Sequence, residues 1–104
     1  GLTMAGASVR YRRRVRTFQT VEMHSRGAYW DDKFFYIEQS MWNKAGECTS
    51  HIVYRSAVTG KNGIVPPAQV IRELGVDEVS PPAPEWVKAW IDADTVRPWP
   101  PMQD

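Results

Sequence analysis

Cysteine is almost missing from this 104-residue chain: Cys48 stands alone. No internal disulfide framework can form, and a reducing compartment suits such a chain. Histidine is nearly as scarce, with only His24 and His51. One cysteine and two histidines do not supply the ligands of a structural zinc site, so no metal is expected, and no cofactor either. Long apolar runs are missing too. Nothing approaches the ~20 residues of a membrane span, and the opening "GLTMAGASVRYRRR" has no apolar core of signal-peptide length. The expectation is a soluble, cytoplasmic protein with no membrane partner. Charge of one sign is missing as well: the net value is +1, which argues against a general polyanion binder. Proline is absent from residues 1–60, and all eight prolines fall in the remainder.

What the chain does hold is aromatic surface. Five Trp, four Tyr and three Phe within a 42% hydrophobic composition suffice for a folded core. The length suits one domain. Residues 1–63 read as an antiparallel sheet, and 64–104 as short helices and a proline-rich tail packed on it. In "SVRYRRRVRTF" (8–18), Val9, Tyr11, Arg13 and Val15 alternate with Arg10, Arg12, Arg14 and Arg16. That period of two predicts a strand with one cationic face. Residues 19–30 continue as a second strand, with Gly27 marking a bulge or bend before Tyr29 and Trp30. Asp31, Asp32 and Lys33 form a polar turn. In "FFYIEQSMWN" (34–43) both faces are partly apolar, which predicts a central strand. "NKAGE" (43–47) is a hairpin loop with Gly46 supplying the permissive backbone. "CTSHIVYRSAVT" (48–59) is the fourth strand, followed by the turn "GKNG".

Two helices follow. "VPPAQVIRELG" (65–75) has proline in its first turn and Gly75 at the C-terminal cap position. In "SPPAPEWVKAWIDAD" (80–94), Trp86 and Trp90 stand i, i+4, with Val87 and Ile91 beside them, so one stripe is apolar. The tail "TVRPWPPMQD" reads as extended. The fold class is therefore α+β. About four strands with one apolar face need a second layer, either from these helices or from a second copy of the chain.

The stretch "SVRYRRRVRTFQTVEMHSRGAYWDDKFFYIEQSMW" resembles hotdog-fold acyl-CoA thioesterase-like proteins of the hydroxybenzoyl-CoA thioesterase superfamily. "WDDKFFYIEQ" is its specific part. "GIVPPAQVIRELG" and "SPPAPEWVKAW" continue the likeness over nearly the whole chain. The resemblance implies a hotdog-like sheet, incomplete relative to the family. It lacks the N-terminal strand, the catalytic segment rich in His, Asn and Asp, and the central helix. It also implies a truncated thioesterase-like protein that binds or hydrolyses an acyl-CoA thioester. Self-association as a homodimer or higher oligomer follows, because such sheets assemble with one another.

Thioester hydrolysis needs a carboxylate and an oxyanion stabiliser. Asp31 and Asp32 are the paired carboxylates beside aromatics, so they are the catalytic candidates; the other reading is a solvated turn. Arg10, Arg12 and Arg14 fit the phosphates of CoA, since guanidinium pairs well with phosphate. Trp30 joins this binding set. The other reading is a solvated strand face paired with acids such as Glu22 and Glu38. His24 and His51 have no nucleophile or acid adjacent in sequence and read as structural. Cys48 reads as a small packing residue. Two further function classes stand beside the thioesterase reading. One is a non-catalytic oligomeric interaction module derived from the same fold. The other, weaker, is nucleic-acid binding through the arginines.

Overall fold

A computed structural model of the chain describes residues 1–16, 19–75 and 79–102. The main sheet elements are β1 (Leu2–Tyr11), β2 (Val21–Trp30), β3 (Phe35–Asn43) and β4 (Cys48–Gly60). A short β5 (Gly63–Val65), α1 (Pro67–Glu73) and α2 (Glu85–Thr95) follow. The class is α+β, as the sequence predicts, with a hotdog-like antiparallel sheet in the order β1-β4-β3-β2. The first strand thus pairs with the fourth, not with its sequence neighbour. β5, which the sequence reading folds into the turn and first helix, pairs with the end of β4 through Val58↔Val65 and Gly60↔Gly63.

β3 and β4 are central because each has apolar residues on both faces and neighbours on both sides. Their hairpin closes on Asn43. Its side-chain oxygen accepts from the Ala45 and Glu47 N–H groups, both at 3.0 Å. Gly46 turns the chain at φ 79°, a conformation that costs glycine nothing. Gly75 likewise follows α1 at φ 77°, and its N–H donates to the Arg72 carbonyl.

The first strand differs from its expected span. It starts at Leu2 and ends at Tyr11, where its register with β4 ends at Tyr11↔Ser50. β4 begins at Cys48, so there is no further strand for Arg12 to Arg16 to pair with. The Arg12 and Arg13 N–H groups both converge on the Thr49 carbonyl, at 2.9 and 3.1 Å, as the chain leaves the sheet. The arginine ladder therefore does not form: Arg10 is on the strand, while Arg12, Arg14 and Arg16 lie beyond it. Residues 17–18 of that expected strand, and 103–104 of the expected extended tail, lie outside the described residues.

α2 packs across one face of the sheet. Val87 is fully buried against Tyr29, Tyr36 and Val53, with Trp90, Ile91, Ala83 and Phe34 around them. Of the apolar stripe that the sequence predicts (Trp86, Val87, Trp90 and Ile91), the i, i+3, i+4 set Val87, Trp90 and Ile91 packs inward. Trp86, one residue to the side, is 45% exposed and rests its ring edge on His51 at 5.7 Å. On the opposite face, Leu2, Met4, Val9 and Met23 remain exposed beside the register partners Ile52 and Met41.

Candidate functional site

Strand register sorts the α2 face into rows. The first row across β1, β4, β3 and β2 is Gly6–Arg55–Tyr36–Tyr29. The second is Ser8–Val53–Glu38–Arg26, and the third is Arg10–His51–Ser40–His24. A register shift between Gly27 and Tyr29, at the predicted bulge, keeps Tyr29 on the same side as Arg26. α2 covers the first row and reaches the second through Val53. The third row is polar and open.

The open row and its neighbours form the candidate site. The Glu38 carboxylate lies 2.7 Å from His51 Nε2 through one oxygen. Its other oxygen accepts from Arg26 Nε and Nη2, at 3.3 and 3.1 Å. Burial pushes the Glu38 carboxyl up, but the hydrogen bonds from His51 and Arg26 outweigh it and hold the group below its ordinary value. Glu38 is therefore an anion at neutral pH. Trp42 Nε1 donates to Ser40 Oγ at 2.9 Å, and the His24 ring meets the Trp42 ring edge-on. These groups line a hollow of about 470 Å³, with Cys48 at its margin. A second hollow of about 380 Å³ is lined by Ser8, Arg10, His51 and Trp86. His51 belongs to both. Beside them, the Tyr29 hydroxyl is buried with no hydrogen-bond partner among the described residues, and burial, then the Glu38 charge, raises its pKa. Among the described residues no cluster of three or more His, Cys, Asp or Glu could hold a metal ion.

The residues singled out from sequence are not brought together. Asp31 uses one carboxylate oxygen to cap its own turn, accepting from the Lys33 and Phe34 N–H groups at 2.9 and 2.7 Å. The other accepts from the Tyr36 hydroxyl at 2.8 Å. Both aspartates border a third hollow of about 450 Å³, shared with Tyr36, Arg55 and Asp94. Arg10 borders a different hollow. Trp30 pairs with Phe35, one step from the Tyr29↔Tyr36 pair, and so falls on the other face of the sheet. Its N–H donates to Ser80 Oγ.

Sequence reasoning missed Glu38 and His51 as a pair. The turn at 43–47 alone would set Glu38 opposite Ile52; the register shift between Met41 and Trp42 sets it opposite Val53 and so puts Glu38 and His51 on one face.

A family profile described as "Thioesterase-like superfamily" matches residues 1–91. The chain belongs to the thioesterase-like superfamily. It is similar to "Protein THEM6" of Xenopus laevis, with 36% identity over 92 residues, covering 86% of this chain and 42% of that protein. It is also similar to "Protein THEM6" of Drosophila melanogaster, with 28% identity over 94 residues, covering 89% of this chain and 47% of that protein. The chain thus spans less than half the length of these curated relatives. No solved structure matches it. The thioesterase-like family and the antiparallel sheet with two short helices agree with the hotdog-like class. No helix among the described residues is long and apolar enough to cross a membrane.

Proposed function

We propose that this thioesterase-like chain binds an acyl-CoA thioester on the open part of its α2 face and contributes to its hydrolysis. The observation that carries this reading is the meeting of two hollows at His51, with Glu38 and Arg10 on its two sides. Membership of the thioesterase-like superfamily supports a thioester as the substrate. Arg10 lies on the strand, and Arg12 and Arg14 leave it toward solvent, where guanidinium groups can meet the phosphates of CoA. Arg12 and Arg14 enter as free-chain contacts and not as a strand ladder. Asp31, with both oxygens engaged, serves the turn in this reading, and Asp32 is the freer carboxylate beside it. The chemistry needs water and no cofactor.

The test is thiol release over a panel of acyl-CoA substrates, run beside thermal unfolding with CoA and acyl-CoA. Ligand present at 100 times its dissociation constant stabilises the fold by about 2.7 kcal/mol, so a clear rise in Tm is expected. Absence of both thiol release and stabilisation would end the proposal.

A specific observation favours a second reading, self-association. The face opposite α2 keeps Leu2 and Met4 about 60% exposed, at 63% and 60%, with Val9 further along β1 and Met23 on the far edge strand. Apolar residues exposed on a sheet face that no helix covers favour an interaction surface. Light scattering at micromolar concentration should give about twice the 11.9 kDa of one chain, or more. A folded species at the mass of one chain would overturn this. An oligomer that neither binds nor cleaves acyl-CoA would be the non-catalytic module.

A further inference from the structure

We propose that His51 is the general base of this groove, held in orientation by Glu38, with Arg10 as the cation facing the developing charge. The inference rests on the thioester reading and assigns its chemistry to residues that sequence adjacency does not connect.

The geometry is specific. His51 Nε2 lies 2.7 Å from Glu38 Oε1, and Glu38 is pinned through its second oxygen by Arg26. An anionic carboxylate at Nε2 favours the tautomer with its proton there, which leaves Nδ1 as the basic nitrogen. Among the described residues no hydrogen bond engages Nδ1. The ring is packed against Trp86 on α2 and is 31% exposed, so solvent reaches it while its orientation is set. Four elements surround it. β1 brings Arg10 as the register partner, β3 brings Glu38 and Ser40, α2 brings Trp86, and β2 brings Arg26 and His24 one strand further. One acid and two arginines therefore set the charge near the ring. A cross-strand ion pair with a purely structural role would need neither two adjoining hollows nor a ring nitrogen left unengaged.

The step balances as a hydrolysis. His51 Nδ1 takes a proton from water as the water oxygen bonds to the thioester carbonyl carbon. The carbonyl electron pair moves onto oxygen, where the Arg10 guanidinium can meet it. When the tetrahedral adduct collapses, the carbon–sulfur bond breaks and the leaving thiolate takes the proton back from the imidazolium. One water is consumed, and a carboxylic acid and a thiol are released. Arg26 is a positioning residue, since it acts through Glu38.

The experiment uses the full chain with an acyl-CoA panel. Thiol release is measured across pH, with CoA stabilisation and unfolding recorded for each variant. His51→Ala is expected to lose about 10²-fold or more of the rate. It should keep CoA stabilisation and recover activity with added imidazole. Glu38→Gln removes the carboxylate that orients the ring, so the rate should fall while CoA stabilisation is kept. A folded His51→Ala protein with the unchanged rate and limb overturns the assignment and leaves the acyl-CoA reading standing. So does an unmutated protein that acyl-CoA stabilises but that releases no thiol. Absence of both stabilisation and release ends both. Should His51→Ala not fold, the unmutated protein still decides. Its acidic limb must coincide with the titration of the His51 ring, followed by NMR with His24→Gln for assignment. Separate midpoints overturn the proposal.

Discussion

Arg55→Met should destabilise the fold by about 3 kcal/mol, the low end of the range for breaking a buried ion pair. For a chain of this size that lowers Tm by roughly 12 °C or more. Arg55 is 8% exposed, and it connects α2 to the sheet. Its Nε donates to the Tyr36 hydroxyl at 3.2 Å, and its Nη1 donates to Asp94 on α2. The guanidinium also sits 4.8 Å from the centre of the Trp90 ring, 5.4 Å from Phe34 and 5.6 Å from Tyr36. Burial disfavours the charge, but the hydrogen bonds that Arg55 donates to Asp94 and Tyr36 more than offset it and raise the Arg55 pKa. Methionine keeps much of the stem's packing and removes every polar contact. The low end of the range applies because Asp94 reaches solvent, at 28% exposure, and can rehydrate. Arg55→Lys should not restore the loss, because an ammonium cannot reproduce the planar, stacked fork. Denaturant unfolding of both variants checks this. A change below 1 kcal/mol for Arg55→Met would show that α2 is held by Val87, Trp90 and Ile91 alone.

Much of this arrangement was legible in the sequence where local chemistry decides. Alternation located β2, β3 and β4 to within a few residues, Asn43 and Gly46 located the hairpin, and the Val87–Ile91 stripe located the face of α2. The misses share a cause. "LTMAGA" has little alternation and small side chains, so Leu2–Ala7 gave no strand signal, yet β4 offers it a complete edge. The arginine alternation from 10 to 16 looked strand-like, but β4 has no residues opposite its second half. Pairing is a long-range property, and a period of two cannot report it. The candidate site was hidden for the same reason. Glu38 and His51 are 13 residues apart, and only the hairpin register brings them to hydrogen-bond distance. Asp31 and Asp32 were conspicuous because they are adjacent, and adjacency in a turn serves the turn.

Tyr36 gives the second large effect, at alkaline pH. The residue is 1% exposed, and its hydroxyl stands between Asp31 Oδ2 and Arg55 Nε. Burial first, then the hydrogen bond to the Asp31 carboxylate, push its pKa up from 10.0 to about 12, with Arg55 opposing the shift. The folded state therefore prefers the neutral phenol more than the unfolded state does. That preference contributes stability fully below pH 10 and is lost as pH rises toward 12. The loss should be on the order of 2 kcal/mol. Tyr36→Phe removes the titration but also leaves the buried Arg55 Nε without this acceptor, at a cost of about 1–2 kcal/mol near neutral pH. The two stability curves should thus converge or cross above pH 10. Tyr29, whose pKa is also raised, titrates in both proteins and cancels in the difference. Urea unfolding at stepped pH, with phenolate absorbance as a second signal, measures that difference. If it stays constant from neutral pH to pH 12, the Tyr36 phenol is not the linkage between Asp31 and Arg55. The hold of the turn on α2 would then run through ring packing, Tyr36 against Trp90 at 6.0 Å.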